Sequence, residues 1–353
     1  MNNKYKFIDL FCGIGGFRYA IENAAARNGN EAECVFSSDI DKHCQDIYED
    51  NFGERPVGDI SLVSAKDIPE HNILLAGFPC QPFSIIGQMK GFDDTRGTLF
   101  FEIARILAEK KPDAFVLENV KLLAGHDRGR TIQTIVKTLE EMKYTAQYKI
   151  FNALDFGLPQ KRERIFIVGF KNKLSFSWPA ADKKMTPLDE ILEKNVYKKY
   201  YVSEKIRKKI LTKKIETTQT AIWHENKAGN ISAYPYSCAL RANASYNYLL
   251  VDGKRRLTGR EMLRLQGFDD SFKITCSYMQ IRKQAGNSLP IPVATAVIDN
   301  LMKALDAYKK SPNQVYLSID DGQYVFLEKG RRYNAATAEV KNRRKIQTAL
   351  SFK

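Results

Sequence analysis

The sequence predicts an α/β fold, in which one large domain holds a mostly parallel, doubly wound sheet and a second, smaller domain accompanies it. Short apolar runs of strand length alternate with helical patterns over residues 5–170. The first run leads into a glycine-rich turn, which is typical of nucleotide-binding α/β folds. The periodicity weakens over residues 171–257 and later returns in a long apolar helical pattern.

The individual elements follow from the spacing of apolar residues. Strands are predicted over residues 5–10, 33–38, 72–76, 112–120, 144–151 and 164–170. Helices are predicted over residues 17–26, 42–51, 99–109, 131–142, 261–266 and 291–308. Thr258 and Glu261 have the spacing of a capping box at the start of the fifth helix. A hairpin is predicted from residues 314–319 and 323–327.

The composition is that of a globular chain with 353 residues, of which 44% are hydrophobic. The N-terminal residues lack the apolar core of a signal peptide, and no apolar run is long enough to cross a membrane. We therefore expect a soluble, unexported protein. The six cysteines include no CxxC pair and there are four histidines, which argues against disulfides and against a metal site.

The net charge of +14 is concentrated in the second half of the chain. Residues 1–170 carry 21 basic and 24 acidic side chains, whereas residues 171–215 carry 13 basic and 5 acidic ones. Residues 303–353 add 11 basic and 5 acidic side chains. This distribution favours an enzyme core joined to a surface that binds a polyanion. Charge alone leaves open a basic protein with no such ligand.

Three polar turns near the start of the chain are candidate ligand contacts. The turn at residues 11–16 reads G-x-G-G, an incomplete version of the dinucleotide fingerprint that also fits a purely structural turn. Asp39 ends the second predicted strand, where such folds place an acid on ribose hydroxyls; the neighbouring Asp41 fits a helix cap instead. Asp59 lies in a third turn, where it suits either an adenine amino group or an ordinary Asx turn.

A single cysteine, Cys80, lies between Pro79 and Pro82 directly after a predicted buried strand. Each proline fixes its own φ and biases the preceding residue away from the helical region, so the thiol is held on a stiff, extended turn. A nucleophile needs such a mount, because its attack geometry must be held tightly. A buried cysteine that only packs is the alternative. Residues 85–98 are rich in Gly, Asp and Gln, and we expect a loop that closes over a substrate.

Two further groups of charged residues lie at the ends of predicted buried strands. Glu118 lies near the end of the strand over residues 112–120, where α/β sites form, although an acid at a helix start is also possible. Lys161, Arg162 and Arg164 precede the strand over residues 164–170. Three cations in this position suit phosphate or carbonyl contacts, or else a solvated turn.

Together these blocks resemble the DNA (cytosine-5) methyltransferases of bacterial type II restriction-modification systems. The matching blocks occur in the family's order and cover about residues 5–310. They lie at residues 11–16, 77–84, 118–120, 160–164, 256–268 and 284–288. The resemblance implies a Rossmann-like methyltransferase domain and a smaller target-recognition domain.

The chemistry of that family gives these residue types their roles. The resemblance implies that the Cys80 thiolate adds to C6 of a flipped cytosine, so that C5 becomes nucleophilic enough to take a methyl group. Glu118 would bond N3 and the exocyclic amine, which calls for a raised pKa. Arg164 would hold the base oxygen O2. The resemblance implies three further catalytic residues. These are Arg162 beside Arg164, Asn119, which would order the loop, and Gln81 in the closing loop.

The implied cofactor is S-adenosyl-L-methionine, which leaves as S-adenosyl-L-homocysteine, with no metal. The resemblance implies contacts from three turns and from a late block that folds back on the first domain. The cofactor residues implied are Phe11, Gly13, Gly15, Gly16, Asp39, Ile40, Asp59, Ile60, Pro79, Asn287 and Ser288. Ile40 replaces an aromatic residue found in some relatives, which predicts that stacking on adenine is weaker there or is supplied elsewhere.

The resemblance divides the chain into a catalytic domain of residues 1–175 and 283–310, a target-recognition domain of residues 176–282, and a basic C-terminal extension of residues 311–353. Residues 224–255 are expected to contribute most to reading DNA in the major groove. The recognition region of the family often holds a Thr-Leu pair, and the corresponding pair here is Ala239-Leu240.

The partner implied is double-stranded DNA, with no membrane and no stable protein partner. We expect a cytoplasmic, nucleoid-associated bacterial monomer that works alongside a restriction endonuclease. Two alternatives remain at this point. One is an RNA cytosine-5 methyltransferase on the same fold, whose basic region would hold a folded RNA. The other is a DNA-binding regulator without catalysis, which the presence of Cys80, Glu118 and Arg164 disfavours.

Overall fold

The computed structural model describes residues 3–79, 99–213 and 215–310 and three strands within residues 317–333. The helices are α1 Gly16–Arg27, α2 Lys42–Phe52, α3 Leu99–Lys110, α4 Leu122–Gly125, α5 Arg130–Glu141, α6 Leu188–Ile191, α7 Glu204–Leu211, α8 Gly259–Gln266, α9 Tyr278–Asn287 and α10 Ile291–Lys310. The first seven strands are β1 Lys4–Leu10, β2 Glu31–Ser38, β3 Ile73–Gly77, β4 Ala114–Val120, β5 Thr145–Asn152, β6 Gln160–Lys161 and β7 Glu163–Phe170. The later strands are β8 Ile222–Glu225, β9 Ile231–Tyr234, β10 Ser237–Cys238, β11 Leu249–Val251, β12 Arg255–Arg256, β13 Leu317–Asp320, β14 Gln323–Glu328 and β15 Arg331–Tyr333.

A six-stranded sheet in the order β2-β1-β3-β4-β7-β5 forms the centre of the protein. All of its strands run in one direction except β7, which is antiparallel to both neighbours. The predicted α/β class with a mostly parallel sheet is therefore confirmed. Because β1, β2, β3 and β4 are parallel, their carboxyl ends meet at one edge, where ligand sites form in open sheets.

Helices cover both faces of this sheet, and the strand side chains alternate between them. On one face, Phe7 and Leu75 pack with α1, α2 and α10. On the other face, Ile8 and Leu74 pack with α3 and α5. Strands buried on both sides read as the continuous apolar runs that made them predictable from sequence.

The last long helix, α10, packs against α1 and ties the end of the described core to its beginning. Asp306 on α10 accepts hydrogen bonds from Asn3, Tyr5 and Asn30. Asn28 Nδ2 also donates to the Asp299 side chain at 2.6 Å. These contacts place the segment before α10 beside the first turn of the chain.

A second, four-stranded sheet in the order β12-β11-β8-β9 lies within residues 222–256. It has a small core of its own, formed by Ile210, Ala221, Trp223 and Leu250. Helix α8 packs into the large core. The division of the chain into three parts stays a prediction.

Several element predictions are confirmed in detail. Thr258 and Glu261 form the reciprocal capping box of α8. β13 and β14 pair as the predicted antiparallel hairpin, and sequence reasoning missed the third strand, β15. The predicted closing loop over residues 85–98 lies outside the described residues. In the part of the chain that the structure describes, no helix has the length and apolar character needed to span a membrane.

Gly169 tests how tightly the central sheet packs. A methyl group at this position would lie 2.0 Å from Cζ of Phe115, whose buried ring packs edge-on against Tyr144. We expect Gly169→Ala to destabilise the fold by about 1–3 kcal/mol, because overpacking forces this ring from its position. Thermal unfolding by circular dichroism should show a melting temperature several degrees lower.

The matched control is Gly125→Ala, since a methyl group at Gly125 meets nothing within 4 Å and its φ is −98°. This variant should melt within about a degree of the wild type, as surface substitutions usually do. Equal melting temperatures for the two variants would contradict the packing described here.

Candidate active site

A cavity of about 650 Å³ opens at the sheet edge where the parallel strands end. Its walls come from three early turns, the ends of β3 and β4, and the segment before α10. The sequence-predicted residues that line it are Phe11, Gly13, Gly16, Asp39, Ile40, Asp59, Ile60, Pro79, Glu118, Asn119, Arg164, Asn287 and Ser288. Of the remaining predicted residues, Gly15 and Arg162 do not line the cavity, and Cys80 and Gln81 lie outside the described residues.

The glycine-rich turn after β1 has the backbone of a ligand cradle. Phe11, Gly13 and Gly15 have φ values of 55°, 55° and 84°, in the left-handed region that favours glycine. Phe11 is a non-glycine residue in this region, a conformation that clusters at functional sites. Gly15 serves packing, because a Cβ there would lie 2.2 Å from the Phe52 ring. The cradle is therefore formed by residues 11–13, and Gly15 lets α1 start close to α2.

Asp39 connects the ends of β1 and β2. Its carboxylate accepts hydrogen bonds from the backbone N–H of Gly13 and of Asp41, both at 2.8 Å. Burial raises the pKa of Asp39, although both backbone donors oppose this shift. The carboxylate thus fixes the shape of the glycine turn and still faces the cavity.

The other two early contacts are more exposed. Asp59 accepts from the backbone N–H of Ser61 at 2.9 Å and from its hydroxyl at 2.7 Å, which makes it an Asx turn. Both alternatives for Asp59 therefore have support, since it also lines the cavity. Ile40 lies on the rim of the cavity and is 73% exposed, so its apolar side chain is available there for a contact.

Lys283 and Asp41 close one wall of the cavity with an ion pair of 2.7 Å. Asp41 also caps α2 by accepting from the His43 N–H. Hydrogen bonding and the positive charge of Lys283 lower the pKa of Asp41 despite its partial burial. Sequence reasoning gave Asp41 only the capping role and gave Lys283 none. The one sequence signal for Lys283 was its position directly before the block at residues 284–288.

Glu118 and Arg164 form a buried ion pair at the floor of the cavity, with Nε and Oε1 2.8 Å apart. In the β4–β7 ladder, Arg164 lies opposite Val120, so the two side chains are diagonal neighbours on one face. Their side chains are only 11% and 13% exposed. Burial raises the pKa of Glu118, whereas the charges of Arg164 and Arg162 act to lower it. A buried carboxyl group in this setting keeps its proton to a higher pH than an exposed one does.

Asn119 fixes the backbone that leads towards Cys80. Its Nδ2 donates to the Phe78 carbonyl at 2.8 Å, and its Oδ1 accepts from the Val120 N–H at 2.8 Å. Because Gly77 pairs with Glu118 in the β3–β4 ladder, this bond continues the pairing beyond the end of β3. Pro79 is the last described residue before Cys80 and borders the cavity.

Arg162 lies outside the cavity wall, with 1% of its surface exposed. Its guanidinium donates to three backbone carbonyls, those of Leu240, Gly286 and Ser288. The sequence placed Arg162 beside Arg164, and the structure separates their contacts. Arg164 faces Glu118, and Arg162 faces the backbone of two later segments.

Sequence reasoning missed other residues of the cavity wall, including Phe17, Ser38 and Gly58. Each follows or precedes a predicted contact by one or a few positions, and none carries a distinctive motif. Among the described residues, no group of three or more His, Cys, Asp or Glu side chains is placed to hold a metal ion.

Comparison with known proteins adds to this geometry. A family model described as C-5 cytosine-specific DNA methylase matches residues 5–303. The type II methyltransferase M.NgoBI of Neisseria gonorrhoeae is 54% identical over 323 residues, which cover 90% of this chain and 99% of that protein. The type II methyltransferase M.HaeII of Haemophilus aegyptius is 52% identical over 322 residues, with the same two shares.

A solved structure, the Dnmt2 methyltransferase of S. pombe, is similar in fold, with a TM-score of 0.66. It is 23% identical in sequence and the match covers 86% of this chain and 99% of that one. At this identity the likeness shows the fold alone.

The raised pKa of Glu118 makes a prediction about stability. A carboxyl group with a folded-state pKa above its unfolded value favours folding most below the unfolded pKa, and this contribution is lost as pH rises through the folded pKa. Glu118→Gln removes the titration. The difference in melting temperature, variant minus wild type, should therefore increase from pH 5 to pH 8.

Glu140→Gln, at an exposed position on α5, is the matched control and should show no such trend. Thermal unfolding of the wild type and of both variants at several pH values measures these differences in melting temperature. A difference for Glu118→Gln that stays constant or decreases with pH would contradict the burial of this carboxyl.

Proposed function

The chain belongs to the C-5 cytosine-specific DNA methylase family, and we propose that it methylates one short recognition sequence to protect host DNA from a paired restriction endonuclease. The family confirms the predicted activity, DNA (cytosine-5) methyl transfer. The observation that carries our assignment of the active site is the Glu118–Arg164 pair, which shares one cavity with the glycine turn. The pairing with an endonuclease is inferred from the type II systems named for the relatives.

We assign the nucleophile to Cys80. The assignment rests on its sequence position after β3, between Pro79 and Pro82, because Cys80 itself lies outside the described residues. The thiolate adds to C6 of a cytosine flipped out of the duplex, and the C5–C6 double bond is consumed. C5 would take its methyl group from S-adenosyl-L-methionine, which would be left as S-adenosyl-L-homocysteine, and C5 would then carry that methyl group and its original proton. Removal of that proton restores the double bond as the Cys80–C6 bond breaks.

Glu118 and Arg164 are assigned to the base. The raised pKa of Glu118 suits a carboxyl group that shares a proton with N3 and accepts from the exocyclic amine. Arg164 lies 2.8 Å from Glu118, where its remaining donors are available for O2. Asn119 acts on the loop, since its bond to the Phe78 carbonyl fixes the approach to Cys80. Gln81 is assigned to the loop after Cys80, by sequence position only.

The cavity fits S-adenosyl-L-methionine, which supplies an electrophilic methyl group when it is bound. Two carboxylates, Asp39 and Asp59, border the cavity and can accept from ribose hydroxyls or an adenine amine. The left-handed turn at Phe11 and Gly13 leaves room for close approach. Asn287 and Ser288 complete the wall from the far end of the chain, and Ser288 Oγ would lie 3.0 Å from a Cβ on Gly16. No metal is needed for this chemistry.

Double-stranded DNA is the proposed partner, held by the basic half of the chain. Residues 171–215 carry 13 basic side chains, which can offset phosphate charge and the cost of base flipping, a few kcal/mol of unstacking. We assign base reading to residues 224–255. All the groups that the reaction needs lie in one chain, so we propose a monomer that acts on bacterial chromosomal DNA in the cytoplasm.

A covalent trap tests the reaction. In a duplex with 5-fluorocytosine at the target, C5 carries fluorine, which cannot leave as a proton does, so the Cys80–C6 bond should persist. With S-adenosyl-L-methionine present, wild-type enzyme should give a complex that resists denaturation in gel electrophoresis and in intact-mass analysis. Cys80→Ser should give none, whereas Cys34→Ser should give as much as the wild type. An active enzyme that forms no adduct would rule out the covalent route.

Binding of the cofactor tests the assigned cavity. In Asp39→Asn, only one side-chain oxygen remains for the N–H groups of Gly13 and Asp41. Losing a hydrogen bond to a charged group costs about 1.5–3 kcal/mol, so we expect S-adenosyl-L-homocysteine to bind about 10-fold or more weakly. Isothermal titration calorimetry measures the affinity, and Asp50→Asn at an exposed position of α2 is the control. Unchanged affinity in Asp39→Asn would place the cofactor elsewhere.

A further inference from the structure

A buried polar junction joins three segments that are far apart in sequence, and we call it the recognition junction. It consists of Gln160, Arg162, Leu240, Gly286 and Ser288. Arg162 Nη1 donates to the Leu240 carbonyl at 2.9 Å, and Nη2 donates to the carbonyl of Gly286 at 2.9 Å and to that of Ser288. One planar guanidinium thus contacts both the recognition region and the block that borders the cofactor cavity.

Gln160 completes the grip on Leu240. Its Oε1 accepts from the Leu240 N–H at 3.0 Å, and its Nε2 donates to the Leu265 carbonyl at 2.7 Å. Both peptide groups of Leu240 are therefore held by side chains from the segment at residues 160–162. The short ladder between β6 and β10 brings these segments together, with Ser237 opposite Gln160. Contacts to the backbone hold this loop whatever side chains it presents.

Gly286 allows the loop to approach closely. A Cβ on Gly286 would lie 2.4 Å from the Ala242 nitrogen and 2.8 Å from the Arg241 carbonyl carbon. Both neighbours are backbone atoms, so a side chain here requires the loop to move. From the same helix, Arg282 donates to the Ala244 carbonyl and stacks on the Tyr246 ring, 4.4 Å from its centroid. The loop at residues 239–246 is thus seated directly on α9.

The guanidinium of Arg162 has no acidic partner within ion-pair distance among the described residues. Burying such a charge is costly unless its donors are satisfied, and here three carbonyls accept from Nη1 and Nη2, whereas the buried Nε has no partner among the described residues. Both terminal nitrogens of Arg162 are therefore engaged in the free protein, whereas Arg164 and Glu118 border the open cavity. Arg162 is in this respect unlike a residue that waits for a base.

We propose that Arg162 is a positioning residue for sequence recognition: it fixes the loop at residues 239–246 against the Gly286–Ser288 wall, so that the loop's contacts with DNA and the target cytosine stay in register. This rests on the proposed function, because it assumes that residues 224–255 read bases. It assigns to Arg162 a role at the junction in place of contact with the cytosine.

Two variants disturb the junction from opposite sides. Arg162→Lys keeps the charge, but an ammonium lacks the planar fork that reaches both segments. Gly286→Ala leaves Arg162 intact and pushes the loop away. The matched controls are Arg130→Lys, at an arginine whose side chain is 70% exposed, and Gly125→Ala, where a methyl group meets nothing within 4 Å.

The measurement is kcat/KM for methyl transfer to two duplexes. One carries the sequence found by mapping 5-methylcytosine in DNA from an expressing host, and the other carries the same sequence with one base pair changed outside the target cytosine. The ratio of the two values does not depend on the fraction of folded enzyme. Each mismatched base pair typically costs about 1–3 kcal/mol, so the wild-type ratio should be about fivefold or more.

We expect both junction variants to lower this ratio at least about threefold, towards the loss of that discrimination. The two controls should keep the wild-type ratio. Glu118→Gln should lower both rates together and leave the ratio unchanged, since it acts on the cytosine common to both duplexes. If Arg162→Lys does not fold, Gly286→Ala decides the question.

Three results would overturn the proposal. In one, Arg162→Lys slows both duplexes equally, as a contact with the cytosine would. In another, the melting temperature falls while the ratio stays at the wild-type value, as for a purely structural residue. In the third, both junction variants match the controls. A wild-type enzyme that methylates no duplex would instead contradict the proposed function, and so the two failures are distinguishable.

Discussion

The hydrogen bond from Asn119 to the Phe78 carbonyl is the contact on which the geometry of the site depends. It continues the parallel pairing of β3 and β4 beyond Gly77 and Glu118, where the ladder ends. The chain that carries Cys80 therefore leaves β3 beside the carboxyl group of Glu118. Chemistry that needs a nucleophile on one side of a base and a proton-sharing acid on the other requires this placement. Arg164, from the antiparallel neighbour β7, completes it.

The same edge of the sheet is closed by residues from the far end of the chain. Asp306 anchors α10 to the first strand, and this brings Asn287 and Ser288 onto the glycine turn. The wall they form has the cavity on one side and the loop at residues 239–246 on the other. One short segment thus contacts both the cavity and the loop, so its buried polar contacts affect both of them. Arg162 and Glu118 are both buried, and burying a charged group costs stability unless partners compensate for it.

Much of the fold was predictable, because the buried strands are continuous apolar runs and α8 starts with a complete capping box. The turns that border the cavity were also predictable, since glycine and aspartate mark positions that other residues fill poorly. The ion pair between Asp41 and Lys283 was not, because 242 residues separate the partners. Nor was the separation of Arg162 from Arg164. Arg162 and Arg164 are both cations in one short segment and look equivalent in sequence. Only the packed structure shows which groups each guanidinium contacts.

We expect this site to place a methyl group on C5 of cytosine in duplex DNA. The most direct measurement incubates the purified chain with duplex DNA and S-adenosyl-L-methionine carrying a heavy-isotope methyl group, digests the DNA to nucleosides, and identifies the labelled product by chromatography and mass spectrometry. The labelled nucleoside should be 5-methyl-2′-deoxycytidine. Label in N4-methylcytosine or N6-methyladenine, or label in RNA with none in DNA, would contradict it.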